Sequence, residues 1–392
     1  MNHTPHLTTS QSAATEVSSA SPVPLDCTAV LTHHWLIRER GGEKVLRAFR
    51  ELLPHAPIYT LVHDPAHLDD DWGTIHVPKF SRAAIVRRHY QKMLPLLPAL
   101  ARSVRLPDVD LVLCSDAAIA KAMRPHPRSK VVCYCHSPMR YVWDLEAEYR
   151  RTLPPPARPL WGPICRRVRR ADFNAAQRVD LMVANSRHVA ERIRRNYNKS
   201  SVVVHPPVEV PPSAPTGERQ DYYLAVGYHV PYKRLDIAVE ACRLLDRKLV
   251  VIGEGPDVKK IDPRRDTHVE LRGWCRANEI SKALAEARGL LFPGEEDFGI
   301  VPVEAIGHGC PVIAYGVGGA TESIIDGQTG VHFHEQTAAA LVNAIRRFEG
   351  MQFDPFVLNA AAQRFGKSRF LTEMREVCTA ALEERLPKLD IH

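Results

Sequence analysis

The sequence predicts an α/β protein whose two halves each contain a parallel sheet covered by helices. From Thr28 onward, short runs of β-branched and apolar residues alternate with longer amphipathic stretches, which is typical of parallel βαβ units. One proline-rich segment, residues 205–215, interrupts this alternation, which then restarts. The chain has 392 residues, of which 45% are hydrophobic, so it is long enough for two or three domains with cores of their own.

The first half follows an N-terminal stretch, residues 1–25, that is rich in Ser, Thr, Ala and Pro and nearly free of charge. This composition predicts a disordered tail, and the stretch lacks the apolar run of about 7–15 residues that a secretory leader needs. Apolar side chains at helical spacing predict helices at residues 43–53 and 190–197. Strands are predicted at residues 28–31, 111–114, 130–135, 181–184 and 201–204.

The second half begins after the proline-rich segment. Proline fixes φ and lacks a backbone donor, so residues 206–220 are predicted to form a semi-rigid linker between domains. Helical spacing of apolar side chains then predicts a helix at residues 235–245 and a final helix at residues 370–386. Strands are predicted at residues 222–226, 248–252, 268–271, 289–292, 311–314 and 331–333.

These elements imply a domain at residues 26–205, a second domain at residues 221–365, and a C-terminal helix within residues 366–392 that packs back toward the first domain. Two such domains leave a cleft between them. Ligands of open α/β sheets bind outside the carboxyl ends of the strands. We therefore expect the chemistry to lie in this cleft.

Composition excludes two classes of protein. The longest nearly apolar run, residues 93–101, is broken by Pro95 and Pro98 and is far shorter than the ~20 residues of a membrane-spanning helix. Nine cysteines, an odd number scattered along the chain, do not match a disulfide framework. Cys133 and Cys135 lie close together but lack the second pair that a zinc site needs. We expect a reducing cytoplasm and no structural metal.

The most informative segment for function is residues 294–305. Glu296 and Glu304 are eight residues apart and follow a predicted strand. Gly299 and Pro302 suit a loop that passes into the start of a helix, where free N–H groups face an anion. A carboxylate at that place can accept hydrogen bonds from ribose hydroxyls. From spacing alone, two solvated glutamates are an equally good interpretation.

This segment resembles the Glu-x7-Glu motif of the family 4 glycosyltransferases, which are retaining enzymes with the GT-B fold: two Rossmann-like doubly wound domains that face a central cleft. Four other segments resemble that family in the expected order: the glycine-rich turn at 41–46, the donor loop at 230–236, and the stretches 253–256 and 316–322. Residues 133–144 resemble the His-Ser/Thr-Pro-Met-Arg-Tyr-x-Trp-Asp stretch of its bacterial mannosyltransferase-like subgroup, which serves polysaccharide and O-antigen biosynthesis. The resemblance covers roughly residues 28–345.

The resemblance implies a set of residues around the diphosphate of a nucleotide-sugar donor. Gly41 and Gly42 would let the backbone approach the phosphates, which a Cβ would obstruct. Lys233 would stabilise the departing nucleotide by its charge, and Arg234 either assists it or lies on the surface. The family usually has an arginine five residues before this lysine, but here that residue is Tyr228, which is uncharged at pH 7. This departure leaves the strength of donor binding open.

A second set would contact the sugars. The resemblance implies that Glu304 holds the ribose, that Glu296 contacts the hydroxyls of the transferred sugar, and that His136 faces the donor sugar and the reacting centre. A lone histidine is otherwise more often structural. Arg140 and Trp143 are implied to lie on the acceptor side. Backbone N–H groups near Glu296 come from Phe298, Gly299 and Ile300.

The implied mechanism needs no metal. In a retaining transfer, the acceptor attacks from the face that the leaving diphosphate vacates, unless a carboxylate acts as nucleophile as in retaining glycosidases. Metal-dependent sugar transferases of the other common fold use an Asp-x-Asp motif. The candidates here, residues 108–110 and 69–71, precede a predicted strand or lie in a predicted loop, so we expect them to be structural or solvated. No cofactor is expected besides the nucleotide-sugar substrate.

Two basic segments stand out against a net charge of +7, residues 78–105 and 150–170, each with seven Lys and Arg and no acid. Basic residues mixed with apolar ones suit contact with an anionic membrane surface, and the subgroup resembled here acts on lipid-linked acceptors. Ordinary helices with a basic outer face are the alternative. Nucleic acid is not expected as a partner, because no nucleic-acid-binding motif accompanies these segments.

Together these features lead us to expect a retaining transferase that moves a hexose, with mannose from GDP-mannose as the best candidate, onto a lipid-linked saccharide in cell-surface polysaccharide biosynthesis. We expect it in the cytoplasm or bound peripherally to the inner face of the plasma membrane. UDP-sugars remain open as donors. A nucleotide-sugar epimerase and a degenerate nucleotide-binding relative without catalysis are the competing functions, and Tyr228 is the feature that favours the latter.

Overall fold

The computed structural model describes residues 23–68, 71–82, 86–87, 93–215 and 217–392. These residues form two parallel sheets, which define a first half and a second half of the molecule. The first sheet has the strand order β3-β2-β1-β4-β5-β6-β7. Its strands are β1 (Ala29–His33), β2 (Ile58–Thr60), β3 (Ile75–His76), β4 (Leu111–Asp116), β5 (Lys130–Cys135), β6 (Leu181–Ala184) and β7 (Val202–Val203).

The second sheet repeats this plan with six strands in the order β10-β9-β8-β11-β12-β13. In both sheets the order reverses next to the first strand of the half, between β1 and β4 and between β8 and β11. Such a switch point opens a crevice at the carboxyl ends of the strands. The strands are β8 (Tyr223–Val226), β9 (Leu249–Ile252), β10 (Val269–Gly273), β11 (Gly289–Phe292), β12 (Val312–Tyr315) and β13 (Gly330–Phe333).

Helices cover both faces of each sheet, as the alternation of short strands and longer amphipathic stretches predicts. The helices of the first half are α1 (Gly41–Leu52), α2 (Leu97–Ser103), α3 (Arg140–Trp143), α4 (Glu146–Thr152), α5 (Arg158–Ala176) and α6 (Arg187–Tyr197). Those that follow are α7 (Leu235–Leu245), α8 (Ala277–Glu286), α9 (Ile300–Gly307), α10 (Ala320–Ser323), α11 (Ala338–Glu349), α12 (Pro355–Gln363) and α13 (Lys367–Leu382). The predicted fold class, two doubly wound α/β domains, is confirmed.

The last helix, α13, belongs to the core of the first half although it follows the second half in the chain. Phe370 of α13 stacks on Phe49 with ring centroids 6.0 Å apart and meets Tyr134 of β5 edge-on at 5.7 Å. The preceding helix α12 instead buries Leu358 and Ala362 in the core of the second half. The chain therefore crosses between the halves twice, once in each direction.

Several element boundaries differ from the sequence-based expectations. The first strand continues to His33 because Thr32 and His33 pair with β4 and are buried. The strands β2 and β3 were not predicted, since runs of two or three residues show no periodicity. The final helix occupies Lys367–Leu382 rather than residues 370–386.

Of the predicted tail, residues 1–22 lie outside the described part of the chain. At its end, the backbone N–H of Leu25 donates to the carbonyl oxygen of Leu52 at 2.9 Å. The proline-rich segment contains no helix where it is described, and Val208 forms an isolated parallel bridge with Gly366. The exact domain boundaries stay predictions.

Candidate functional site

The candidate site lies where the two switch points face each other. On the first half, β1 ends at His33, β4 at Asp116 and β5 just before His136. On the second half, the loops after β8 and β11 carry Lys233 and Glu296. Parallel strands bring their carboxyl ends to one edge, so residues far apart in sequence meet there.

The start of α1 forms the floor of this cleft. A Cβ on Gly41 would lie 2.8 Å from Ile300 Cδ1, at the start of α9 in the other half. A Cβ on Gly42 would lie 3.6 Å from His136 Nε2. Two helix N-termini, each with unsatisfied N–H groups, therefore approach one another at the predicted glycine pair. A larger side chain at Gly41 would require the Ile300 side chain to shift.

Lys233 and Glu296 form an ion pair, with 2.7 Å between Lys233 Nζ and Glu296 Oε1. Lys233 closes a short 3₁₀ turn after β8, and a Cβ on Gly227 would lie 3.3 Å from its ammonium nitrogen. Both paired side chains keep about a fifth of their surface exposed, 22% for the lysine and 20% for the glutamate. The structure thus brings together a cation and a carboxylate that an incoming ligand can still reach.

The second motif glutamate, Glu304, is paired across the cleft. Lys44 of α1 donates to Glu304 Oε1 at 2.7 Å. Burial lowers the pKa of Lys44, but the charge of Glu304, its hydrogen bond and the charges of nearby glutamates together raise the pKa overall. Glu304 lies one turn inside α9, whose N-cap is Gly299 at φ +87°. Among the described residues, no side chain caps this helix, so its first N–H groups have no capping partner there.

A chain of polar contacts runs behind His136. Ser115 Oγ lies 2.8 Å from His136 Nε2 and 3.1 Å from His33 Nδ1, and His33 Nε2 lies 3.4 Å from Glu43 Oε1. Burial, reinforced by the neighbouring His33, lowers the pKa of His136 to about 4. Its imidazole is therefore neutral at pH 7. These contacts orient the rings of His136 and His33.

Next to this chain, His34 is only 6% exposed and has no hydrogen-bond partner at Nδ1 in the described part of the protein. Burial, with the neighbouring His33, lowers the pKa of His34 to about 3. His33, His34 and Glu43 were not predicted as site residues from the sequence. The signal was a pair of histidines at the end of a predicted strand, followed by an acid in the first turn of a predicted helix.

Arg140 crosses the cleft toward the donor loop. Its guanidinium lies 4.8 Å from the ring centroid of Tyr232 and donates to the carbonyl oxygen of Glu295 at 3.2 Å. Burial lowers the pKa of Arg140, but the carboxylates around it, led by Asp297, raise it overall. The structure therefore places Arg140 against the loop that carries Glu296.

Trp143, the other residue expected on the acceptor side, has its indole nitrogen turned into the first half. It donates to Asp172 Oδ2 at 2.8 Å, and its ring meets Tyr197 edge-on. This contact joins Trp143 to a buried cluster around Lys121. The structure does not bring the indole N–H of Trp143 together with the other predicted site residues.

In this buried cluster, Lys121 Nζ lies 2.7 Å from Asp116 Oδ2, 2.6 Å from Asp172 Oδ1 and 3.2 Å from the carbonyl oxygen of Ala118. The charged side chains are at most 1% exposed. Burial raises the pKa of Asp116, but Lys121 lowers it overall to about 2. Tyr197 completes the cluster through its hydroxyl, which donates to Asp172.

Arg192 of α6, which sequence analysis also missed, holds the loop of the second half against the first. It is 4% exposed and contacts Asp297 Oδ1, Glu295 Oε1 at 3.0 Å and Ser137 Oγ at 3.3 Å. Burial raises the pKa of Asp297, and the arginines beside it only partly offset this effect. The signal in the sequence was an arginine on the face of α6 that otherwise carries apolar residues.

Glu322 of α10 connects the halves at a second place. Its carboxylate accepts from the backbone N–H groups of Arg187 at 3.0 Å and His188 at 3.1 Å, which begin α6 in the first half. His205 Nε2 lies 2.9 Å from the same carboxylate. Burial raises the pKa of Glu322, but the contact with His205 and the two N–H groups lowers it overall.

Tyr228 lies in the wall of a cavity of about 630 Å³ between the halves. Arg40, from the first half, holds its guanidinium carbon 4.9 Å from the centroid of the Tyr228 ring. The same cavity is lined by Gly253 and Trp274, and the Trp274 side chain is 70% exposed. Arg234 is engaged elsewhere, by Asp236 at 3.0 Å.

The expectation that the reaction needs no metal ion stays a prediction. Within the described ranges, no group of three or more His, Cys, Asp and Glu side chains could hold a metal ion. Of the Asp-x-Asp candidates, Asp108 pairs with His126 at 3.0 Å and with Arg128, and Asp110 accepts from Thr28. Residues 69–70 lie outside the described part of the chain.

Comparison with known proteins agrees with this geometry. Residues 39–210 match the family model "Glycosyltransferase Family 4", and residues 209–367 match "Glycosyl transferases group 1". An uncharacterized glycosyltransferase of Methanocaldococcus jannaschii is 30% identical over 157 residues, 39% of this chain and 44% of that protein. The alpha-1,3/1,6-mannosyltransferase alg-2 of Neurospora crassa is 44% identical over 55 residues, 14% of this chain and 12% of that protein. The chain thus matches less than half the length of these curated relatives.

Among solved structures, Anabaena HepE in complex with UDP superposes with a TM-score of 0.62 at 15% sequence identity, over 90% of this chain and all of that chain. At this level of identity the likeness concerns the fold. It agrees with two doubly wound domains around a central cleft.

Proposed function

Because the chain belongs to the family 4 glycosyltransferases with the GT-B fold, we propose that it is a retaining hexosyltransferase. Its donor is a nucleotide sugar, with GDP-mannose as the favoured candidate. Its acceptor is a lipid-linked saccharide in cell-surface polysaccharide biosynthesis. The observation that carries this proposal is the meeting, in one cleft, of the Lys233–Glu296 pair, of Glu304 and of His136.

The two lysine–glutamate pairs suggest how the donor enters. Lys233 is proposed to exchange Glu296 for the diphosphate, which leaves Glu296 free to accept hydrogen bonds from the hydroxyls of the transferred sugar. Glu304 exchanges Lys44 for the ribose hydroxyls in the same way. The open start of α9, with the N–H groups near Phe298, Gly299 and Ile300, adds a positive helix end beside the phosphates.

The proposed reaction proceeds on one face of the sugar. The bond between C1 of the sugar and the β-phosphate oxygen breaks, and the acceptor oxygen forms a bond to C1 on the same face. The acceptor proton passes to the departing phosphate oxygen. Lys233 stabilises the negative charge that develops on this oxygen. His136, neutral at pH 7, is proposed to hydrogen-bond the transferred sugar and hold C1 in position.

Two observations bear on the donor. The match to a mannosyltransferase, although short, and the stretch at residues 133–144 favour mannose and therefore GDP-mannose. A UDP-sugar is the second candidate, because the structurally similar HepE was solved with UDP and with UDP and glucose. Both candidates require the same diphosphate contacts.

The acceptor side is proposed to contact an anionic membrane. The helix α5 carries five arginines of the basic segment 150–170, and Leu160 on the same helix is 62% exposed. Leu96, in the other basic segment, is 57% exposed, although residues 83–85 and 88–92 of that segment lie outside the described part of the chain. No helix of the described residues has the length and apolarity to cross a bilayer. A peripheral contact is therefore the proposed arrangement.

A panel of GDP, UDP, ADP and their mannose and glucose conjugates tests the function, without added metal. A nucleotide at about 100 times its Kd should stabilise the protein by about 2.7 kcal/mol, measured by thermal unfolding. We expect stabilisation by GDP species, and radiolabelled transfer from GDP-mannose to lipid-linked saccharides. Glu304→Gln should lose nucleotide stabilisation, while Glu240→Gln, at an exposed pair on α7, should keep it.

The outcomes separate the alternatives. Stabilisation by UDP species alone moves the donor to a UDP-sugar. Binding of a nucleotide without transfer or donor hydrolysis, across a wide acceptor panel, supports the non-catalytic alternative. Activity that disappears in EDTA and returns with a divalent cation contradicts the proposed independence of metal.

A further inference from the structure

At one position of the cleft, this chain has an uncharged side chain where the family usually has an arginine. Lys233 is the expected cation of the donor loop, but Tyr228, five residues before it, has no charge to offer a second phosphate. Arg234 does not fill the gap, because it lines a different cavity from Tyr228, where its guanidinium contacts Asp236 at 3.0 Å and the carbonyl oxygen of Gln336. A donor with two phosphates would meet a single cation if the second half acted alone.

The first half places another cation at this position. Arg40 is the residue before the glycine pair of α1, and its guanidinium lies over the Tyr228 ring at 4.9 Å from the centroid. No carboxylate of the described residues lies within ion-pair distance of Arg40. Its neighbour Arg38 lines the same cavity but faces Glu254 at 3.7 Å. Arg40 is therefore an uncompensated charge in a cavity wall.

Arg40 and Lys233 lie on two sides of the same dipeptide. Lys233 Nζ is next to Gly227, and the Arg40 guanidinium rests on Tyr228. Arg40 is also the N-cap residue of α1 and directly precedes Gly41 and Gly42. A guanidinium is suited to this place, because its planar fork matches phosphate oxygens and stacks on an aromatic ring at the same time.

We propose that Arg40 supplies the second cation for the diphosphate of the donor, from the opposite wall of the cleft, and that Tyr228 is the aromatic support that positions it. This inference rests on the proposed function, since it concerns the nucleoside diphosphate of that same site. It assigns Tyr228 a positioning role rather than a loss of donor binding. The charge that relatives carry on the second half is here carried by the first.

Calorimetric titration of the full-length protein with GDP, GMP, UDP and UMP tests this assignment. Arg40→Ala should weaken the binding of the diphosphates about tenfold or more, since a charge-assisted hydrogen bond is lost, and should weaken the monophosphates less. Arg38→Ala is the matched control, with the same loss of charge in the same cavity. It should change the ratio of diphosphate to monophosphate affinity less than twofold.

A double variant tests the assignment by returning the positive charge from the first half to the second. In the double variant Arg40→Ala with Tyr228→Arg, the cation returns on the second half, and we expect diphosphate affinity to recover to within a few-fold of the wild type. Arg40→Gln keeps the length of the side chain without its charge and should behave like Arg40→Ala, which guards against an effect of altered packing. Unfolding curves of each variant verify that it is folded.

The results separate this inference from the function on which it rests. If the wild-type protein binds none of the four nucleotides, the proposed function is wrong and the inference with it. If the wild type binds a diphosphate and Arg40→Ala binds it equally well, the function stands and the role of Arg40 is wrong. An equal loss in Arg38→Ala, or no recovery in the double variant, also contradicts the assignment of Arg40.

Discussion

Lys121 in the first half and Lys233 in the second half each hold an ammonium nitrogen 2.7 Å from a carboxylate oxygen. Lys121 is buried, faces two aspartates and a carbonyl oxygen, and uses all three of its donors. Lys233 has Glu296 as its ion-pair partner among the described residues, and both keep about a fifth of their surface exposed. The length of an ion pair therefore says little about its role. Burial and the number of partners distinguish a fixed pair from one that a ligand can exchange.

The largest expected effect is in the buried cluster. Lys121→Met should lower the free energy of unfolding by about 3–5 kcal/mol, because it leaves Asp116 and Asp172 buried without a counter-ion. Denaturant unfolding followed by circular dichroism measures this change. Lys130→Met, at a surface pair with Glu384, is the control and should cost much less, because water solvates the glutamate when the lysine is gone. Equal losses of unfolding free energy in the two variants would contradict the distinction between buried and exposed ion pairs.

Lys233→Met should show the opposite pattern. Its free energy of unfolding should change by less than about 1 kcal/mol, since water can reach Glu296 when the lysine is gone. Transfer activity should fall by about 10²–10³-fold, because the leaving diphosphate loses its stabilising charge. Lys248→Met, at an exposed pair with Glu270, is the control for both measurements. A large loss of stability in Lys233→Met would show that Lys233, like Lys121, serves mainly to stabilise the fold.

A smaller effect concerns the pH dependence of stability, which His34 of the first half should influence. The pKa of His34 is lowered to about 3, so the unfolded chain takes up a proton below pH 6.5 that the folded chain refuses. Stability should therefore fall as pH decreases from 6.5 to 5, with about 2 kcal/mol of the decrease due to His34. Unfolding at several pH values should show a flatter profile for His34→Gln than for the wild type. His126→Gln, at a partly exposed contact with Asp108, is the control.

The smallest expected effect is at the pair that spans the cleft. Lys44→Met frees Glu304 from its partner, so the glutamate no longer exchanges an ion pair for ribose hydroxyls. Affinity for the nucleoside diphosphate should rise about 2–5-fold, measured by calorimetric titration. Lys367→Met removes an ion pair with Glu51, near the C-terminal end of α1, and should leave the affinity unchanged. Weaker binding in Lys44→Met would show that the lysine itself contacts the donor.

The sequence predicted the fold well where periodicity is strong. The strand β5 and the helix α7 match their predicted bounds residue for residue. The strands β2 and β3 were missed, since they are too short to carry a pattern. Local composition and spacing thus suffice for elements whose buried face is long enough to repeat.

The site was only partly predictable, because its contacts join distant parts of the chain. Spacing and resemblance led to Glu296, Lys233 and His136, and the structure brings them to one cleft. The contact between His33 and Ser115 spans 82 residues, and that between Lys44 and Glu304 spans 260. No local pattern reports such partners. The indole of Trp143 shows the same limit, since Asp172, which fixes its orientation, lies on a different helix.

The carboxylate of Glu322 has a consequence for recombination between relatives. It belongs to the second half, yet it closes the first turn of α6 in the first half and binds His205 where the chain passes between them. A chimera whose second half lacks a carboxylate at this place would leave those two N–H groups without their acceptor at a partly exposed junction. The two halves therefore contribute complementary parts of one contact. A stable chimera must keep Glu322 together with the start of α6 that it binds.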